Sequence, residues 1–201
     1  MSYQDMSKDQ LINQLEILRE RIEELERKDA ERRREEIALR NMTFVDELTG
    51  LYNRRGLKNL AIQQLKLAER AMRRMALLYL DFDRFKNINE SYGKIEGDKA
   101  LMRIADILTN TFRASDIISR YGGDEFVVFA VEPEKDSDKI LVNRIIDAID
   151  EENSRNDKAY DLSLSVGLAM FEPEFPSSLA DLLKKAEMLM YENKRTRGFL
   201  P

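Results

Sequence analysis

Ile117-Ile118-Ser119-Arg120-Tyr121-Gly122-Gly123-Asp124-Glu125-Phe126-Val127-Val128-Phe129-Ala130-Val131 is the stretch on which the fold turns. Two apolar runs, Ile117 to Tyr121 and Phe126 to Val131, flank four residues that begin with paired glycines. That pattern predicts a β-hairpin with the glycines in a tight turn. Upstream, Met75 to Leu80 is a short apolar run closing on Asp81, as in a buried strand. Downstream, Leu162, Leu164, Val166 and Leu168 alternate with small or polar residues, as in a half-exposed strand. Elsewhere the spacing becomes helical. Leu57, Leu60, Ala61, Leu65 and Ala68 share one face, and Phe85, Ile88 and Tyr92 make a short helix stopped at Gly93. Leu101, Ile104, Ala105, Leu108 and Phe112 form a longer stripe, with Asp98 near its start, where an acid suits the exposed N–H groups. Two more helices are expected over Ile140 to Ile149 and over Leu179 to Met190, the latter behind a Ser178 cap. Units of βαβ type mixed with an antiparallel hairpin predict an α+β sandwich of helices on a mostly antiparallel sheet.

Working outward to the N-terminus, residues 6–42 contain neither Gly nor Pro. Leu11, Leu15, Leu18, Ile22 and Leu25 recur at spacings of four and three, a heptad seam with charges on the remaining positions. In the same register Asp29, Arg32 and Glu36 would fall on the seam, whereas Ala30 and Ile37 offer a shifted one, so a discontinuity is expected near Lys28. A parallel dimeric coiled coil is expected; the other reading is a single amphipathic helix folded back onto the domain. The expected division is therefore an N-terminal helix over 1–42 and a globular domain over 43–201.

Composition narrows the chemistry. The 201 residues include no cysteine and no histidine. Disulfides, Cys/His zinc sites, cysteine nucleophiles and histidine bases are thereby excluded. Any metal must be held by oxygen, which favours Mg²⁺ or Mn²⁺. A net charge of −5 does not suit a nucleic-acid coat. No apolar run approaches membrane-spanning length and no signal-peptide core opens the sequence, so a cytoplasmic protein with no membrane partner is expected.

Three carboxylates stand where charge needs a reason. Asp81 ends a buried strand, and Asp124 and Glu125 sit in the hairpin turn. Were strand and hairpin neighbours, the three would converge and repel unless a cation neutralised them. Divalent ions so held activate a hydroxyl and stabilise a phosphate under attack. Gly122 and Gly123 would let a nucleotide approach the backbone, and Lys86 and Arg120 could neutralise phosphate charge. Taken singly, Asp81 is as well explained as a strand-end acid, and Asp124 and Glu125 as an ordinary polar turn.

At these residues the sequence resembles the GGDEF family of diguanylate cyclases. Arg120-Tyr121-Gly122-Gly123-Asp124-Glu125-Phe126 carries the family signature. Asp46 to Arg55, Asp81 to Asn89, Gly97-Asp98 and Tyr191-Glu192-Asn193-Lys194 match four further motifs in order, so the resemblance spans about Asp46 to Gly198. It implies a nucleotide-cyclase/ferredoxin-like sandwich that joins two GTP into cyclic di-GMP with release of two pyrophosphates. In that likeness Asp81, Glu125 and the Phe82 carbonyl hold the metal, and Asp124 binds metal and activates the 3′-hydroxyl. Asn89 and Asp98 read the guanine edge, Lys86 and Lys194 hold phosphates, and Arg120 supports charge at the turn. Each subunit would bind one GTP, so two domains must face each other, and a heptad helix that tethers a homodimer raises their effective concentration. Arg113-Ala114-Ser115-Asp116 has the Arg-x-x-Asp form of the family's product-inhibition site, with Arg144 as a further contributor. An ordinary surface ion pair at a helix end is the plainer explanation of that motif.

Departures from the family pattern are Lys94 where histidine is common, Glu187 where aspartate is usual, and a tail, Lys194-Arg195-Thr196-Arg197-Gly198, in which the usual Gly-Arg-Asn is displaced. No sensor or receiver domain is recognisable before the helix, so the stimulus is expected from a partner or from further chain. The competing functions are a catalytically silent GGDEF domain that binds GTP or cyclic di-GMP, a cyclase of another nucleotide, and an inert scaffold.

Overall fold

The structure, a computed structural model, describes residues 8–40, 43–131, 138–155 and 160–199, without the side chains of 16, 30–40, 138 and 139. It divides into two units, Met1–Thr43 and Phe44–Pro201.

The first unit is α1 (Lys8–Arg40), 33 residues of unbroken helix. At 1.5 Å per residue it is about 50 Å long. Ion pairs at i,i+4, Arg19–Glu23 at 3.6 Å and Glu24–Lys28 at 2.7 Å, support it from outside. Its seam is bare: Leu15 is 66% exposed and Leu25 60%. Of the residues on which a register shift was expected, Ala30, Arg32, Glu36 and Ile37 lie outside the described side chains.

The second unit begins with a two-residue strand that sequence reading missed, β1 (Tyr52–Asn53), running into α2 (Arg54–Ala71). The Asn53 side chain caps α2 by accepting from the N–H groups of Arg55 and Gly56 at 3.0 Å. There follow β2 (Met75–Phe82), α3 (Phe85–Tyr92), α4 (Lys94–Thr111), β3 (Ile117–Arg120), β4 (Glu125–Val131), α5 (Asp138–Ser154), β5 (Leu164–Phe171) and α6 (Leu179–Thr196). The sheet order is β1-β3-β4-β2-β5, with β1 parallel to β3 and every other pair antiparallel. The expected α+β architecture, helices on a mostly antiparallel sheet preceded by a long helix, is what the chain forms.

Alternation along β2 divides the core in two. Ala76, Leu78, Leu80 and Phe82 pack against α3, α4 and α5, while Met75, Leu77 and Tyr79 pack against α2 and α6. Being covered on both faces explains why β2 reads as a continuous apolar run. It also corrects the reading of β5, which is largely buried rather than half-exposed. Its small residues alternate because α6 lies very close: a Cβ on Gly167 would collide with the backbone of Ala186 and Met190. Leu162 falls just outside β5, where its N–H and C=O are taken by Asn153 at 2.8 and 2.9 Å. A second correction concerns Asp98. The helix starts at Lys94, Glu96 is the acid of its first turn, and no side chain caps it, so Asp98 is not a capping residue.

Candidate active site

Register decides the site. Asp81 at the end of β2 pairs directly with Glu125 at the start of β4, and with Ser165 of β5 on its other side. Phe82 N–H donates to the Asp124 carbonyl at 3.0 Å. The two acids face each other across adjacent strands, and Asp124 is continuous with one of them. All project toward the α2/α6 layer or the turn, since Asp81 alternates with buried Leu80 and Phe82, which face the other layer.

The side chains do not pool as expected. Among the described residues no group of three or more acidic side chains stands close enough to hold a metal ion. The reason is local. Asp81 is drawn to Lys194 of α6, whose Nζ donates to its Oδ1, and both side chains are nearly covered, 15% and 16% exposed. Burial nevertheless holds the Asp81 carboxyl above the ordinary aspartate range; Lys194 opposes that shift, and the charges of Asp124 and Asp83 add to it. Glu125, for its part, folds back against the turn, so that a Cβ on Gly122 would run into its Oε2.

A side chain at Gly122 would therefore have to push the Glu125 carboxylate aside, whereas the backbone there is unstrained. The hairpin differs from the expected tight turn: four residues connect the strands, and neither Gly122 nor Gly123 has positive φ. Tyr121 N–H and Gly122 N–H both donate to the Glu125 carbonyl, at 2.8 and 3.2 Å. Arg120 then locks the loop, donating from Nη2 to the Gly123 carbonyl at 2.7 Å and from Nη1 to Asp46 at 3.2 Å. Asp46 also accepts from the N–H and hydroxyl of Thr49 at 3.0 and 2.7 Å. Burial pushes its carboxyl up, but Thr49 and then Arg120 outweigh that and hold it below the usual range. Arg120 is thus a clamp between the opening segment and the signature turn, with its donors committed to protein.

Asn89 and Asp98, the two residues expected to read guanine, lie on neighbouring helices, Asn89 on α3 and Asp98 on α4, both half-buried. Gly97 has no side chain because one would strike Asn89 Oδ1. That oxygen is buried without a hydrogen-bond partner among the described residues, a rare state for a buried acceptor. Lys86 is on the exposed side of α3, 3.6 Å from Glu90, as a solvated helix residue would be.

Asp83 was passed over in the sequence, where it appears only as the second acid of Asp81-Phe82-Asp83. It is 3% exposed. Its Oδ1 accepts from Ser165 Oγ and its Oδ2 from Ser163 Oγ, both at 2.7 Å, and from Arg197 Nη1 at 3.2 Å. Arg197 also donates to the Leu164 carbonyl at 2.6 Å and stacks on Phe199 at 4.9 Å. The displaced tail motif therefore has a structural use. The signal was present in the sequence as two alternating serines, Ser163 just before β5 and Ser165 on it, opposite an acid.

The Arg-x-x-Asp motif sits at the other end of β4. Asp116 accepts from Arg113 N–H at 2.9 Å and from Val131 N–H at 3.0 Å, which occupies both carboxylate oxygens. Arg113 and Arg144 are both exposed; Arg144 lines a shallow hollow with Asn110 and Asn143 between α4 and α5. A further cavity, of about 540 Å³, separates α2 from the start of α6. It reaches the signature turn through Tyr121, under Arg54 at 4.7 Å and edge-on to Tyr79 at 5.7 Å.

With this geometry in view, comparison with known proteins is decisive about family. Residues 43–198 match the family model described as "Diguanylate cyclase, GGDEF domain". The chain is 33% identical over 157 residues to the probable diguanylate cyclase DgcC of Escherichia coli K12, a match covering 78% of this chain and 42% of that protein. It is 31% identical, also over 157 residues, to the cyclic di-GMP phosphodiesterase NbdA of Pseudomonas aeruginosa, covering 78% of this chain and 20% of the relative. Its fold superposes with a TM-score of 0.70 and 25% identity on the diguanylate cyclase SiaD of Pseudomonas aeruginosa, solved in complex with its activator SiaC, over 94% of this chain and 72% of that one. The chain belongs to the GGDEF family. It spans less than half the length of these curated relatives. Among the described residues no helix is long and apolar enough to cross a membrane.

Proposed function

We propose that this chain is a diguanylate cyclase, condensing two GTP into cyclic di-GMP and two pyrophosphates. The observation that carries the proposal is the Asp81–Glu125 register, which sets two carboxylates face to face beside Asp124. The donors at this corner are oxygens and Asp81 already holds a positive group in Lys194, a chemistry that suits Mg²⁺ or Mn²⁺; Asp81, Asp124, Glu125 and the Phe82 carbonyl would hold the ion once the carboxylates turn toward it from their present, separate partners. When bound, such an ion supplies Lewis-acid polarisation of the phosphate and lowers the pKa of the attacking hydroxyl. The chain's residues do the rest. The unpartnered Asn89 Oδ1 and the Asp98 carboxylate accept from the guanine N1–H and 2-amino group, which adenine does not present. Lys194 and Lys86 steady the phosphates, while Gly122 and Gly123 let them approach the turn.

Each site holds one GTP, and each 3′-hydroxyl attacks the α-phosphate of the other, so the domain, taken as 43–201, works as a homodimer. The bare heptad seam of α1 supports that pairing. Arg113, with Arg144, forms the product-inhibition site, with Asp116 fixing the loop. A silent, ligand-binding GGDEF module is the second reading, favoured by the engagement of Asp81 with Lys194. One experiment separates them: purified chain with GTP and Mg²⁺, assayed for cyclic di-GMP and pyrophosphate, with Asp124→Ala and ATP as controls. Absence of product under conditions where GTP binds would leave only the silent module.

A further inference from the structure

We propose that Lys194 is a built-in stand-in for the metal, so that divalent cation and nucleotide load the site cooperatively. The inference rests on the cyclase reading in one respect, that Asp81 is a metal ligand. Lys194 Nζ sits on Asp81 Oδ1 with both side chains nearly covered. Lys194 takes one carboxylate oxygen, Oδ1, and its ammonium competes with a divalent cation for Asp81, because the two positive charges would lie within a few ångströms of each other. A metal therefore binds Asp81 best once Lys194 has moved away, and an ammonium leaving a half-buried partner needs another anion.

The surroundings specify what moves. Arg197, one turn further along the chain, is held by three side-chain hydrogen bonds, from Nη1 to Asp83 and the Leu164 carbonyl and from Nη2 to Ser163 Oγ. Phe199 packs under Arg197 and Arg84, at 4.9 and 5.0 Å. Asn193 is tied to Val166 N–H at 3.3 Å. The end of α6 is therefore fixed to β2 and β5 on both sides of Lys194, and only the four-carbon lysine stem is free to swing. A triphosphate at the corner gives the released ammonium a stronger anion than Asp81. Nucleotide thus clears the metal's ligand, and metal frees the nucleotide's lysine. Thermodynamic reciprocity makes the two affinities rise by the same factor.

The test is Mn²⁺ binding, read from the loss of the free-ion EPR signal, with and without α,β-methylene GTP, in the full chain and in Lys194→Met, Lys194→Arg and Asp81→Asn, each checked for folding by circular dichroism. The expected result is that Lys194→Met binds Mn²⁺ alone roughly five- to tenfold more tightly than wild type, as fits a partly covered ion pair, and loses most of the nucleotide-induced gain. Lys194→Arg, which keeps the charge, stays near wild type without nucleotide. Equal Mn²⁺ affinity in wild type and Lys194→Met, with Asp81→Asn abolishing binding in both, overturns the interlock and leaves the metal site standing. Mn²⁺ binding untouched by Asp81→Asn overturns the metal-site reading itself.

Discussion

At one end of β4, Glu125 and its neighbour Asp124 give no carboxylate oxygen to a backbone N–H among the described residues, and Glu125 faces Asp81 across the strand pair. At the other end, Asp116 gives one oxygen to Arg113 N–H and the other to Val131 N–H. Both ends carry an acid beside an arginine within a recognisable motif, seven residues of strand apart. The difference lies in what the local backbone demands. At Asp116 both carboxylate oxygens are taken by backbone N–H groups, so the acid is structural first. At the signature turn the donors of Tyr121 and Gly122 are satisfied by the Glu125 carbonyl, which leaves the carboxylate off the backbone, with the Tyr79 side chain as a partner. An acid is available for chemistry where backbone satisfies backbone.

That contrast can be broken by mutation. Asp124→Ala should lower cyclic di-GMP formation by about 10²–10³-fold or more, measured chromatographically, while changing stability by less than about 1 kcal/mol. Loss of folding instead would make both ends structural. Asp116→Ala should behave oppositely, costing about 1–3 kcal/mol in urea denaturation as two N–H groups lose their acceptor. Its neighbour Arg113→Ala should relieve inhibition by added cyclic di-GMP at little cost in stability. An Asp116 variant as stable as wild type would put that residue with the ligand-facing acids.

Gly122→Ala should displace the Glu125 carboxylate and reduce activity about tenfold, equivalent to about 1.4 kcal/mol in the barrier. Gly123→Ala, where a Cβ meets nothing within 4 Å, should be nearly silent. Similar effects at both glycines would remove the steric account of the turn.

The smallest expected effect is at the clamp. Asp46→Asn should cost about 1 kcal/mol near neutral pH, through weakened bonds to Thr49 and Arg120. Because the folded protein holds this carboxyl below its ordinary value, the stabilisation is present above the unfolded pKa, about 3.9, and is lost as the pH falls through the depressed folded value. Denaturation curves of the two proteins should therefore converge only in acid; a gap that is constant with pH would mean that the charge of Asp46 contributes nothing.

Most elements were legible in number and kind from the residues alone, because apolar periodicity reports which face of a helix or strand is buried. The sequence also held the five motifs that resemble the family, and a Gly- and Pro-free N-terminal run that forms a helix. It also excluded histidine and cysteine chemistry outright. Only tertiary structure decided the meaning of residues whose environment is made by distant chain. Ser165 and Gly167 look like the solvent face of β5, but α6 covers them. Asp98 looks like a cap until the helix is seen to begin at Lys94. Asp83 and Arg197 are 114 residues apart, and nothing in their local sequence announces a buried pair. Lys194 and Asp81 are 113 apart, and their contact is what kept the three carboxylates from pooling. Local pattern encodes burial of apolar surface; which charge meets which is fixed only when the strands find their register.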